Sequence, residues 1–134
     1  MAFRVLYVDD SQEDRLLLKT ILEQIEPTVR LDLVDSGELA LSHLKTSTPN
    51  IILLDLNMPG LNGFEVLSRI KNDEQLKSIP VLLFTVSTAS NHVNEAFQKG
   101  ANAVISKPLT LDEYQQVFVD TFQFWKNIVK LPNS

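Results

Sequence analysis

Four short stretches, far apart in the chain, carry the residues that could do chemistry. They are Asp9-Asp10, Asp55-Leu56-Asn57-Met58-Pro59-Gly60, Thr85-Val86-Ser87 and Lys107-Pro108, each at the end of a run of apolar residues. Brought together they assemble three carboxylates, a hydroxyl and an ammonium. Three ionised carboxylates repel one another by about 4 kcal/mol per pair at 4 Å and an effective dielectric near 20, so such a cluster calls for a cation. An oxygen-only donor set suits Mg²⁺, which takes one or two carboxylates, keeps several waters and completes its shell with phosphate oxygens. A carboxylate beside that ion can attack phosphorus and form an acyl phosphate. Phosphoryl transfer depends mainly on positioning and charge neutralisation, so a metal, a lysine and a hydroxyl around an aspartate are sufficient equipment.

The elements that must position these groups are legible in the apolar pattern. Strands are predicted for Phe3 to Val8, Leu31 to Val34, Ile51 to Leu54, Val81 to Thr85 and Ala103 to Ile105. Between them, Leu18, Ile21, Leu22 and Ile25 stand at the spacing of one helix face, and helical windows fill Glu38 to Lys45, Phe64 to Ile70, Val93 to Lys99 and Leu111 to Val129. Capping-box pairs mark helix starts at Ser11/Asp14, Asp35/Glu38, Asn62/Glu65 and Thr110/Glu113. The runs Ile51 to Leu54 and Val81 to Phe84 do not alternate with polar residues, so both faces of those strands are expected to be buried. Strict alternation of buried strands and helices predicts an α/β fold, a doubly wound five-stranded parallel sheet with five helices. In such a sheet functional groups collect at the carboxyl edge, near the switch point of strand order, and all four motifs fall there.

Composition narrows the function further. The 134 residues suffice for one domain, 1–134, with Pro132-Asn133-Ser134 expected as a free tail. There is no cysteine, which excludes disulfides, thiolate metal sites and a cysteine nucleophile. No signal-like N-terminus and no window near the ~18 apolar residues of a membrane span is present, so the expected location is cytoplasmic, without membrane attachment. A net charge of −5, with twelve Lys and Arg scattered along the chain, argues against direct nucleic-acid binding. Gly37, Gly60, Gly63 and Gly100 read as turn glycines, and His43 and His92 as surface or boundary residues.

From about Phe3 to Val129 the chain resembles the receiver domains of bacterial two-component signalling, on four motifs in the right order: Asp9-Asp10, Asp55-Leu-Asn-Met-Pro-Gly, Thr85 and Lys107-Pro108. The resemblance implies a flavodoxin-like strand order 2-1-3-4-5. It also implies that Asp55 accepts the phosphoryl group from a sensor histidine kinase, and that Mg²⁺ is held by Asp10 directly, Asp9 mainly through water, Asp55, and the Asn57 backbone carbonyl. Thr85 then binds the arriving phosphoryl group and Lys107 neutralises it, with a cis Lys107-Pro108 peptide. Two positions depart from the commoner pattern. Val86 stands where a small residue is usual and is expected to crowd the approach to phosphorus, and Val104 stands where an aromatic often swings inward.

The last helix is unusually apolar. At 100° per residue Leu111, Tyr114, Phe118, Phe122, Trp125 and Val129 share one face, while Val117, Phe124, Ile128 and Leu131 lie about 100° away. One stripe should cover the sheet, and the other is expected to form a homodimer with Phe124 and Ile128 at its centre. The ending Phe122-Gln-Phe-Trp125 with Leu131-Pro132 is similar to that of single-domain receivers paired with phytochrome histidine kinases. Output through protein contacts, or relay of the phosphoryl group to a histidine phosphotransfer protein, are the two expected roles. A metal-dependent phosphatase would want a second acid at position 57, where Asn57 cannot exchange a proton. Flavin or dinucleotide binding would want a phosphate-binding loop in place of Val8-Asp9-Asp10-Ser11.

Overall fold

A computed structural model describes residues 3–131; the tail expected at 132–134 lies outside the described residues. The elements run β1 (Arg4–Val8), α1 (Gln12–Ile25), β2 (Arg30–Val34), α2 (Gly37–His43), β3 (Ile51–Leu54), α3 (Gly63–Lys71), β4 (Val81–Thr85), α4 (Ser90–Gln98), β5 (Ala103–Ser106) and α5 (Leu111–Phe122). All strands are parallel, in the order β2-β1-β3-β4-β5. Adjacent strands β1 and β3 both lead into their acidic loops, and their registered pair Val8 and Leu54 sets Asp9 and Asp55 side by side.

Period-two alternation divides the core between the two faces of the sheet. Leu6, Val8, Ile52, Leu54, Val81 and Leu83 pack with Ala40, Val66, Leu67, Ile70 and Ala96 of α2, α3 and α4. Val5, Tyr7, Ile51, Leu53, Leu82 and Phe84 pack with Leu18, Ile21, Leu22, Tyr114, Phe118 and Phe122 of α1 and α5. Phe84 anchors the second face, with ring centroids 5.1 Å from Phe118 and 5.5 Å from Tyr114 in edge-on contact. Such pairs add about 0.5–1.5 kcal/mol each beyond the area they bury.

Ser11, Asn62 and Thr110 cap α1, α3 and α5 as the capping boxes predict, each side-chain oxygen accepting from the N–H three residues on. At α2 the cap is Ser36 and not Asp35: Ser36 is the extended residue, and its hydroxyl accepts from the Leu39 N–H at 3.1 Å. Two neighbouring residues could each cap, and the backbone selects the second.

The C-terminal helix departs from an even 100° wheel. After Phe122 it widens into a π-turn over Gln123–Ile128, closed by the Val129 N–H donating to the Phe124 carbonyl, an i→i+5 bond of 3.0 Å. The wider turn rephases the stripes. Trp125 and Leu131 both pack against the α1/α5 face of the core, so Leu131 does not belong to the outer stripe expected for it. Leu111, expected on the core side, is 56% exposed at the first residue of α5. Phe124 and Ile128 remain outward, 47% and 67% exposed. Lys126 ties the turn to the end of α1 through Glu26 at 3.0 Å.

Candidate active site

Asp9 follows β1, Asp55 follows β3, Thr85 ends β4 and Lys107 follows β5, so the parallel sheet delivers all four to one edge. Asp9 and Thr85 are fully buried and Asp55 nearly so, while Asp10 is exposed. Carboxylate oxygens of Asp9, Asp10 and Asp55 lie within 4.8 Å of one another. The expected acids, hydroxyl and ammonium therefore do share one edge.

Lys107 is the hub. Its Nζ donates to Asp9 Oδ2 and Asp14 Oδ2, each at 2.7 Å, and to Asp55 Oδ2 at 3.2 Å. An ammonium has three N–H donors, and all three are engaged. The lysine is aimed without the expected cis peptide: no cis bond occurs among the described residues, so Lys107-Pro108 is trans. The trans form is the default for X–Pro by about 0.5–1 kcal/mol. Backbone pairing does the aiming, since the Lys107 N–H donates to the Thr85 carbonyl at 2.9 Å and extends the β4–β5 ladder by one step.

The acids are held as firmly as the lysine. Asp9 accepts from the Tyr7 hydroxyl at 2.5 Å and from the Ser11 N–H at 2.9 Å, and its carbonyl accepts from Arg15 at 2.7 Å. Asp55 Oδ1 accepts from the Asn57 N–H at 3.2 Å. The Asn57 amide donates to the Ser87 hydroxyl, and the Ser87 N–H donates to Thr85 Oγ1 at 3.1 Å. That last bond uses Thr85 as an acceptor and leaves its O–H to donate elsewhere.

The sequence assigns no site role to Tyr7, Asp14 or Ser87. Ser87 stands in the Thr85-Val86-Ser87 stretch at the end of β4, and Asp14 carries a signal of its own. A first-turn side chain leans back toward the helix N-terminus, and α1 starts directly after Asp9-Asp10, so Asp14 overhangs the site. The histidines take no part: His43 on α2 faces Asp32 at 3.3 Å, and His92 on α4 lies against Phe64. Val86 is 68% exposed beside the site, and Val104 packs into the α2/α3/α4 side of the core.

Burial pushes the Asp55 pKa up, an effect opposed by the Lys107 charge, reinforced by Asp9 and opposed again by the Asn57 N–H. Burial would lower Lys107, but hydrogen bonds to Asp14 and Asp9 and the charges of Asp55 and Asp9 outweigh it, and its pKa is raised from 10.5. Tyr7 is raised from 10.0, first by burial and then by Asp9. Both groups hold their proton more tightly folded than unfolded. Their stabilisation is full below the unfolded values and is lost as pH rises through and above them. In chelator, the denaturant midpoint should be level between about pH 8 and 9.5 and then fall, less steeply in Tyr7→Phe. A midpoint that climbs above pH 10 would contradict the geometry.

The donor set fits a hard divalent cation: carboxylate oxygens only, one of them on the exposed Asp10. Asp10→Asn should weaken divalent-cation binding, titrated with Mg²⁺, by about tenfold or more, close to 1.4 kcal/mol per decade. It should also leave the metal-free melting temperature equal or higher, because it removes one of three mutually repelling charges. Calorimetric titration and thermal melts in chelator check both, and a lower apo melting temperature would count against the cluster.

Comparison with known proteins agrees with this arrangement. The crystal structure of the phosphorylated cyanobacterial phytochrome response regulator RcpA superposes with a TM-score of 0.93 at 28% identity, covering 99% of this chain and all of that one. The Mn²⁺-bound form of response regulator Rcp1 gives a TM-score of 0.87 and 31% identity over 96% of this chain and 98% of that one. Rcp1 of Synechocystis sp. also aligns in sequence at 31% identity over 96% of this chain and 92% of its own. The chemotaxis protein CheY of Pseudomonas aeruginosa is 31% identical over 90% of this chain and 96% of its own. The family model of the response regulator receiver domain matches residues 5–118, spanning all four motifs, and the chain belongs to that family.

Proposed function

We propose that this chain is a phosphorylation switch in which Asp55 takes a phosphoryl group from the histidine of a sensor kinase, with Mg²⁺ held by Asp9, Asp10, Asp55 and the Asn57 carbonyl. The observation that carries this reading is the single ammonium of Lys107 bonded to both Asp9 and Asp55 at the sheet edge. In the transfer, an Asp55 oxygen bonds to phosphorus as the phosphorus–nitrogen bond of phosphohistidine breaks, and the imidazole leaves with the electron pair and takes a proton from solvent. Bound Mg²⁺ supplies positive charge against the equatorial oxygens. Lys107 supplies more, and the Thr85 O–H donates to a phosphoryl oxygen. Loss of the group is attack by water on phosphorus: the bond from Asp55 oxygen to phosphorus breaks, Asp55 leaves as carboxylate, and inorganic phosphate and a proton go to solvent. The chain thus assists its own loading and unloading and turns over no other substrate.

The proposed donor is a phytochrome-type kinase in the cytoplasm. Support comes from likeness to RcpA and Rcp1 along nearly the whole chain. Among the described residues no helix is long and apolar enough to cross a membrane. Loading this chain from a panel of phosphorylated kinases tests the reading: transfer from a phytochrome-type kinase at least about tenfold faster than from others is expected, and equal or absent transfer overturns the assignment.

Output is proposed to run through a homodimer on the outer face of the C-terminal helix, where Phe124 and Ile128 are exposed and the Phe124 and Trp125 rings meet at 5.7 Å. A two-fold pairing would bury that face on its own copy. Sedimentation should show dimers that strengthen with beryllofluoride and are lost in Phe124→Asp. Monomers at high concentration in both states would refute it.

A further inference from the structure

Asp14 is the unexpected partner in the site. It lies in the first turn of α1, its side chain is 29% exposed, and its bond to Lys107 is as short as that of the buried Asp9. Asp55, the residue read above as the acceptor, holds the longest of the three lysine bonds. All three lysine donors are engaged: phosphorylation of Asp55 frees one of them, and Lys107 can turn a second toward the phosphoryl group only by giving up Asp9 or Asp14. Asp9 is the poorer one to abandon: it is completely buried, and the oxygen that accepts from Lys107 also accepts from Tyr7. Asp14 can turn to water.

A second observation concerns Tyr114 on α5. The Tyr114 hydroxyl is buried and has no hydrogen-bond partner among the described residues. An unpaired buried hydroxyl is costly, and its persistence needs a reason. The Tyr114 ring stands edge-on to Phe84, and Lys107 Nζ sits 5.8 Å from the centroid of that same Phe84 ring, so the tyrosine and the lysine share one aromatic neighbour. Burial first, then the charge of Asp14, and more weakly those of Asp9 and Asp55, push the Tyr114 pKa up to about 12, against the opposing charge of Lys107.

We propose that Asp14 is a positioning residue: it holds Lys107 in the unphosphorylated protein, yields it to the phosphoryl group, and then accepts a hydrogen bond from the Tyr114 hydroxyl. The proposal rests on the reading of Asp55 as acceptor. In this exchange no covalent bond to Asp14 or Tyr114 forms; one ammonium bond moves from carboxylate to phosphoryl oxygen, and one phenol gains an acceptor.

The test is beryllofluoride titration by calorimetry at saturating Mg²⁺. Removing the competing charge should tighten binding, so Asp14→Asn is expected to bind about tenfold more tightly, ~1.4 kcal/mol. Asp14→Ala should move in the same direction. Tyr114→Phe should bind about three- to fivefold more weakly when Asp14 is present and show no such loss in the Asp14→Asn background, a coupling that a packing role for the ring would not produce. Unchanged or weaker binding in both Asp14 variants overturns the proposal. An equal Tyr114→Phe effect in both backgrounds overturns the part given to Tyr114. If the parent itself fails to bind beryllofluoride, it is the acceptor reading of Asp55 that falls.

Discussion

Asp55→Asn should abolish Mg²⁺-dependent labelling by acetyl phosphate, lowering the rate by at least about a thousandfold, equivalent to ~4 kcal/mol of barrier. An amide oxygen is a far weaker nucleophile than a carboxylate and cannot carry the negative charge that the acyl phosphate leaves behind on reversal. The site offers no replacement. Asp9 is pinned by Tyr7, Ser11 and Lys107, Asp14 stands on α1 rather than at the end of a strand, and Asp10 lies on the exposed side of the cluster. The same substitution should raise the metal-free stability at neutral pH. Burial already disfavours the ionised form of Asp55, and a neutral amide removes that penalty. Loss of labelling with unchanged or higher melting temperature separates chemistry from unfolding. Labelling at the parental rate would remove Asp55 from the mechanism.

The second large effect is structural and acts through a residue that does no chemistry. A Cβ placed on Gly63, the first residue of α3, would fall 2.5 Å from the Leu56 Cα and closer still to the Asp55 carbonyl oxygen. These are backbone atoms, which cannot swing aside. The Gly63 N–H also donates to the Leu56 carbonyl at 3.1 Å, so the helix start is hydrogen-bonded onto the very loop that presents Asp55. Gly63→Ala should cost about 3 kcal/mol, at the upper end for overpacking and in spite of alanine's better helix propensity. That corresponds to a drop of roughly 10 °C in melting temperature for a chain of this size. Because the strain falls on Asp55-Leu56, acetyl phosphate labelling of the folded fraction should slow as well. Parental stability would mean that α3 stands off the loop by more than the structure shows.

Gly63 also marks where reading the sequence fell short. Gly37 and Gly63 read as turn glycines, yet both open helices and owe their identity to close approach: a Cβ on Gly37 would lie 2.5 Å from a Val66 methyl and 2.8 Å from the Leu61 carbonyl oxygen. Gly60 and Gly100, with φ of 72° and 105°, are turn glycines as expected. Local sequence carries no trace of what a distant helix brings to a Cβ position. The same holds for Tyr7, whose alternation assigns it to the core but not to a bond with Asp9.

What could be read was local or periodic. Unbroken apolar runs gave β3 and β4 with every residue buried, and three of the four expected capping pairs sit where the side chain accepts from the third N–H. The motifs met at one edge because parallel strands all end on the same side. A uniform 100° wheel places Leu131 outward, and the π-turn rephases the C-terminal helix, returning Leu131 to the core while leaving Phe124 and Ile128 outside. The trans Lys107-Pro108 peptide shows a further gap: the lysine's aim is fixed by its ladder bond to Thr85, a tertiary contact between strands.

The measurement that bears most directly on the whole reading is to locate the phosphoryl group in the unaltered protein. The chain is loaded with acetyl phosphate and Mg²⁺, the acyl phosphate is trapped by borohydride reduction, which converts a phosphorylated aspartate to homoserine, and the peptides are mapped by mass spectrometry. One modified residue is predicted, at Asp55, absent when Mg²⁺ is chelated. Modification at Asp9, Asp10 or Asp14, or at Asp55 to the same extent without metal, would contradict it.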